Sequence, residues 1–202
     1  GYLPSVYQGV QCRSQGDPVL YLSNPSGVSR TMRRRALDAL AKIDQETYDN
    51  LGDPETLTRI YQYEMAYRMQ GEAQEAFDLG RETAETRARY GTGEFANSCL
   101  LARRLSERGV RMVQVYYGNG QPWDDHGDIK NHAKHALASD QPIAALLDDL
   151  QARGLWDETL VVWGGEFGRT PMTEGEKGRD HHATGFSMWL AGGGVKGGYV
   201  HG

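Results

Sequence analysis

The sequence predicts an α/β domain, a mainly parallel sheet flanked by helices. Three observations predict it. Apolar residues recur at helical spacing between positions 29 and 108. Three short β-rich runs follow, at 111–117, 159–163 and 186–191. A further helical pattern over 140–153 separates the first two. Strand–helix–strand order implies a βαβ unit and parallel strands.

The elements follow in chain order. Residues 1–27 hold Pro4, Pro18 and Pro25 with several glycines, and read as extended chain or loop, with Val19–Leu22 a candidate short strand. Ser29 can cap a helix running to about Gly52, with Leu37, Leu40 and Ile43 on its apolar face. The basic run Arg33-Arg34-Arg35 near its start reads as a solvated face. Pro54 opens a second helix whose core stripe is Leu57, Ile60, Tyr61, Met65 and Met69. Residues 72–90 are polar and read as exposed helix and loop. A helix from Phe95 to Arg108 turns Leu100, Leu101 and Leu105 inward, and Gly109 ends it. The run 111–117 reads as a strand. Asp140 can cap a helix through Arg153 with Ile143, Leu146, Leu147 and Leu150 buried, closed by Gly154. The continuous apolar run Thr159–Trp163 fits a strand buried on both faces, and Phe186–Ala191 fits another.

Composition narrows the function classes. The formal net charge is -5 over 202 residues and the pI is about 5.7, which gives no electrostatic reason to expect nucleic-acid binding. No apolar run reaches the roughly 18 residues of a membrane span, and no signal peptide is present. Cys12 and Cys99 lack metal-type spacing; they read as two thiols, with a single bridge as the alternative. The chain opens at Gly1 and stops in a glycine-rich stretch, so it reads as cut at both ends.

Polar chemistry concentrates late in the chain. Five of the six histidines lie between positions 126 and 182. One cluster is Trp123-Asp124-Asp125-His126-Gly127, with His132 and His135 behind it. The other runs from Gly164 through Glu166, Phe167 and Arg169 to Asp180-His181-His182. Each follows a predicted strand, where ligands bind in open α/β sheets. Asp124 and His126 are two apart and can reach one ion in extended chain; the alternative is a polar turn. Glu166, flanked by glycines at a strand end, calls for a cation, either a metal or Arg169. Of the adjacent His181 and His182, at most one faces a shared site. His132 and His135, three apart, fit a solvated helical face better than a ligand pair. HExxH, GxSxG and GxxxxGK[ST] are absent, and Gly192–Gly197 fits GxGxxG only as a loop after a strand.

Three strings carry a resemblance: Trp123-Asp124-Asp125-His126, Gly165-Glu166-Phe167-Gly168-Arg169-Thr170-Pro171 and Gly178-Arg179-Asp180-His181. With Leu100–Leu105 and Gly109–Arg111 they resemble domain-of-unknown-function family 1501, a sulfatase-like branch of the alkaline phosphatase superfamily. The run Asp140–Leu147, Gly154-Leu155 and Glu158–Trp163 is similar to the last βαβ segment of sulfatases. The resemblance covers nearly the whole chain. It implies that residues 1–202 are part of one alkaline-phosphatase-like domain, with 29–108 a helical layer and 109–202 the strand–helix–strand part bearing the site.

The resemblance implies a metal-dependent hydrolase of phosphate or sulfate esters, with a small-molecule or glycan ester as substrate. Asp124, His126, Glu166 and His181 are the expected ligands of a divalent ion, zinc first, with manganese or calcium as alternatives. Arg169 is the expected catalytic residue, pairing with the anionic substrate or holding Glu166. The resemblance also implies export from the cytoplasm. Two features depart from the superfamily pattern. Phe167 stands where a ligand histidine is expected, and the nucleophile segment is not found in the chain. The alternative reading is therefore a binding protein for sulfated or phosphorylated glycans on the same fold.

Overall fold

A computed structural model of the chain describes residues 9–13, 19 and 23–202; within helix 54–77 the side chains of 71–74 are not described. The candidate strand Val19–Leu22 lies almost wholly outside the described residues. The chain forms two compact units, Gly1–Asp78 and Leu79–Gly202.

The first unit is a helical hairpin of α1 (Arg30–Leu51) and α2 (Pro54–Phe77). The Ser29 hydroxyl accepts from Met32 N at 3.1 Å, satisfying a free amide of the first turn. Gly52 closes the helix in the left-handed region, at φ 68°, which glycine adopts without steric cost. Arg34 ties the pair together by bonding both Asp38 on its own helix and Glu64 across the hairpin. The predicted stripes are only partly inward. Leu37 is buried, but Leu40, Ile43, Tyr61 and Met65 are exposed, while Thr56 and Thr58 on α2 are buried. The residues that close this hairpin are those at its contact line, not the most apolar ones.

The second unit packs α3 (Ala84–Tyr90), α4 (Glu94–Glu107) and α5 (His132–Ala152) on one another. Tyr90, Ala96, Cys99, Leu100 and Ala145 form the core, with Leu79, Phe95, Val115 and Leu146 against it. Tyr90 corrects the reading of 72–90 as wholly exposed. It is fully buried, and its hydroxyl donates to the Asp149 carboxylate at 3.1 Å. Burial pushes the Cys99 thiol up to about 12, and both cysteines are free. Arg103 is only 1% exposed and lies at the centre of a charged cluster. Its Nη1 donates to Glu107 at 2.6 Å; Nη2 and Nε stand 2.7 Å from Glu82 and 2.9 Å from Asp149, close enough for ion pairing but not aligned as hydrogen bonds.

Helix α5 begins at His132, eight residues before the predicted cap. Asp140 is interior, and Pro142 is accommodated inside the helix despite its missing amide. A 3-10 turn, Ile129–Asn131, leads into it.

Among the described residues no parallel sheet forms. The strands make two antiparallel pairs: β1 (Leu160–Trp163) with β4 (Trp189–Gly192), and β2 (Gly168–Glu174) with β3 (Gly178–His182). A parallel pair needs a crossover, usually a helix. Between β1 and β4 the chain instead makes a hairpin that reverses at Gly175, so β4 returns antiparallel to β1. Residues 113–117 keep the period-two pattern of a strand, with Val113, Val115 and Tyr117 inward, but no ladder among the described residues includes them. Nor is β1 buried on both faces: Leu160, Val162 and Trp163 are exposed, and Trp163 stacks on Trp189 at 6.2 Å. Among the described residues no helix is long and apolar enough to cross a membrane.

Candidate functional site

The site grows from the loop that follows the extended segment 113–117. Asp125 shapes it. Its carboxylate accepts from Gly127 N at 3.0 Å, Asp128 N at 2.6 Å and Asn131 Nδ2 at 2.7 Å. These bonds, the Asp128 amide first, hold its carboxyl below the usual range. With Asp125 turned into the loop, its neighbours Asp124 and His126 fall on one side, as the spacing of two predicts, and His126 Nε2 lies 2.9 Å from Asp124 Oδ1.

Three aromatic contacts fix the loop on its helical base. The Trp123 ring lies 5.3 Å from His132, 5.4 Å from His135 and 5.3 Å from Tyr117. His132 Nε2 stands 2.8 Å from the Trp123 carbonyl, and His135 Nδ1 stands 3.1 Å from the Tyr117 hydroxyl. Thus His132 and His135, one turn apart on α5, clamp the loop, and they lie outside both groups of candidate ligands among the described residues.

The β2–β3 hairpin supplies the other half. Arg169 pairs with His181 across the ladder. Both side chains reach Asp124 Oδ1, Arg169 Nη1 donating at 2.6 Å and His181 Nε2 standing at 2.9 Å. The two imidazoles also meet, Nε2 to Nε2, at 3.2 Å. Hydrogen bonds from His181, then Arg169, hold the Asp124 carboxyl down at about 2. The carboxylate is therefore charged over the whole neutral range. Phe167 lays its ring on His181 with centroids 4.2 Å apart, and the Arg169 guanidinium sits over the same ring at 5.4 Å.

The hairpin docks on the loop through its turn. Ile129 N donates to Lys177 O at 3.1 Å and Arg179 N to Asp125 O at 3.3 Å. Gly178 is buried against the His126 carbonyl with no room for a β carbon. Glu174, opposite Gly178 in the ladder, hydrogen-bonds His126 Nδ1. That bond is the main reason the His126 imidazole holds its proton above the usual histidine range.

The structure thus brings together four of the five predicted site residues: Asp124, His126, His181 and Arg169. Arg169 pairs with Asp124, not with Glu166. Glu166 is exposed, outside both groups of candidate ligands among the described residues: Asp124–His126–His181 and His126–Glu174–Asp180. Glu174 was not legible, because nothing in the spacing links position 126 to position 174. Only the register of an unpredicted hairpin does.

Three donor atoms on one ion at 2.0–2.1 Å stand about 3.3 Å apart in a tetrahedral shell. Asp124 Oδ1, His126 Nε2 and His181 Nε2 are 2.9, 2.9 and 3.2 Å apart, so slight opening of the triangle fits an ion of zinc size. Carboxylate with two imidazoles suits zinc or manganese; calcium prefers an all-oxygen shell.

The profile of the family described as "Protein of unknown function (DUF1501)" matches residues 1–202, so the chain belongs to that family. Comparisons with curated proteins and with solved structures give no match.

Proposed function

We propose that this member of the DUF1501 family is a metal-dependent hydrolase of phosphate or sulfate esters, similar in chemistry to the alkaline phosphatase superfamily. Asp124, His126 and His181 would hold one divalent ion, zinc by the ligand set. The observation that supports this reading is the convergence of two imidazole nitrogens, His126 Nε2 and His181 Nε2, from segments more than fifty residues apart, on Asp124 Oδ1. Two of the three contributing side chains face solvent, which leaves coordination positions open, as in catalytic rather than structural sites.

When bound, such an ion polarises the ester oxygens and lowers the pKa of a water or hydroxyl. The chain's own residues supply the rest. Asp124 and the two histidines fix the ion's place. Arg169 is held beside them by Asp124 and stacked on Phe167, so its remaining guanidinium donors can meet an anionic ester oxygen. The aromatic clamp of Trp123, His132 and His135 keeps the loop from collapsing when ligand binds or leaves.

One observation favours a second reading, a protein that binds sulfated or phosphorylated glycans without cleaving them. Phe167 occupies the position where the resemblance expects a second-ion ligand, and its ring is committed to His181. Calorimetric titration with zinc and manganese, followed by assays with aryl phosphate and aryl sulfate, tests both. We expect one ion per chain, lost in His181→Ala, and turnover dependent on it. Metal binding without turnover of either ester would favour the binding protein; no metal binding would overturn the site.

A further inference from the structure

We infer that Glu174 is the positioning residue for His126: it accepts the proton on Nδ1 and so turns the Nε2 lone pair toward Asp124 and His181. The inference rests on the metal site proposed above and adds to it a residue outside the predicted ligand set.

Geometry carries it. His126 has two ring nitrogens with separate partners. Nε2 lies 2.9 Å from Asp124 Oδ1 and 3.2 Å from His181 Nε2, inside the cluster. Nδ1 hydrogen-bonds the Glu174 carboxylate. A neutral imidazole carries one proton, and the hydrogen bond at one nitrogen decides which nitrogen stays free. Asp124 Oδ1 also faces Nε2, but it is already engaged by Arg169 and His181, so the carboxylate at Nδ1 favours the neutral ring with hydrogen on Nδ1 and the lone pair inward. Metal-bound histidines commonly donate their second N–H to such a carboxylate, which fixes ring orientation and raises ligand basicity.

The hairpin is built to deliver this contact. Glu174 and Gly178 face each other across the end of the ladder. Gly178 abuts the His126 carbonyl, while Glu174 reaches the ring of the same residue. One hairpin end therefore grips His126 by both backbone and side chain. The neighbouring group His126–Glu174–Asp180 offers a competing use of these atoms as a second ion site. Against it, the Asp180 carboxylate accepts from His181 N at 2.7 Å, and Glu174 already occupies Nδ1 directly.

The test uses the whole chain with Glu174→Ala, Glu174→Gln and His126→Ala. At a pH high enough to leave the ring neutral, long-range proton–nitrogen NMR of the metal-free protein reads the His126 tautomer, and zinc titration reads affinity. We expect Nδ1–H in the parent and loss of that preference in Glu174→Ala. Zinc affinity should fall about 10–100-fold in Glu174→Ala, with partial rescue in Glu174→Gln, which keeps an acceptor oxygen. Glu174 is an exposed side chain, so melting temperature should not move. An unchanged tautomer, or unchanged affinity where His126→Ala abolishes binding, overturns the inference. Loss of one of two bound ions in Glu174→Ala would make Glu174 a ligand, which also overturns it. If the parent binds no metal, the site reading fails, and the tautomer still decides whether Glu174 orients His126.

Discussion

Gly178 shows how one residue can control a site to which it contributes no side chain. A β carbon there would overlap the carbonyl of His126 and press on Gly127 N at 3.0 Å, and both neighbours are backbone. Neither can rotate away as a side chain tip would. Gly178→Ala should therefore push the hairpin off the loop and separate Asp124 and His126 from His181. We expect zinc affinity to fall at least as far as in Glu174→Ala, with the helical core intact by circular dichroism; undiminished affinity would show that the loop yields freely. At this scale the sequence was informative about local pairs. Asp124 and His126 lie on one side because residues two apart in extended chain do. The same parity explains Glu166. Phe167 and Arg169 both face His181 and Asp124, which leaves Glu166 exposed. An exposed carboxylate at that position lacks the desolvation that would call for a cation.

Helices α1 and α4 were legible because their signals are local: a Ser29 cap, a left-handed Gly52, and an apolar stripe ending at Gly109. The strands were not, since pairing is decided by partners far away in sequence. An apolar run such as Leu160–Trp163 has the same composition whichever way its neighbour runs. The charged core was also hidden. Arg103 and Arg104 sit in an amphipathic helix and would be read as solvated, yet Arg103 is as buried as Leu100. It balances Glu82 and Asp149, whose side chains are 9% and 6% exposed, together with Glu107. Removing one member of such a cluster leaves its partners buried and unpaired, which costs about 3–5 kcal/mol. Arg103→Ala should lower the melting temperature by roughly 6–20 °C, since each kcal/mol shifts a domain of this size about 2–4 °C. Thermal unfolding followed by circular dichroism checks this, and a shift within the scatter of surface variants would mean water already satisfies the carboxylates.

At the scale of the whole molecule, the candidate chemistry lies in one of the two units. Among the described residues both candidate ligand groups lie in Leu79–Gly202, while α1 and α2 of the first unit form a hairpin tied by Arg34 and Glu64. The boundary falls at Asp78, between the end of α2 and the 3-10 turn Leu79–Arg81. Within the second unit Trp123 rests on α5, and the hairpin turn on residues 125–129. If a metal ion is held as proposed, its ligands and these supports all come from Leu79–Gly202. A protease site inserted between Asp78 and Leu79 tests this. After cleavage and separation, Leu79–Gly202 should bind zinc with the affinity of the intact chain. Calorimetry of the intact chain should resolve two transitions, only one of them raised by zinc, because a ligand stabilises the unit that binds it. A single transition raised as a whole, or loss of zinc binding on removal of residues 1–78, would show that the helical hairpin is part of the site's scaffold.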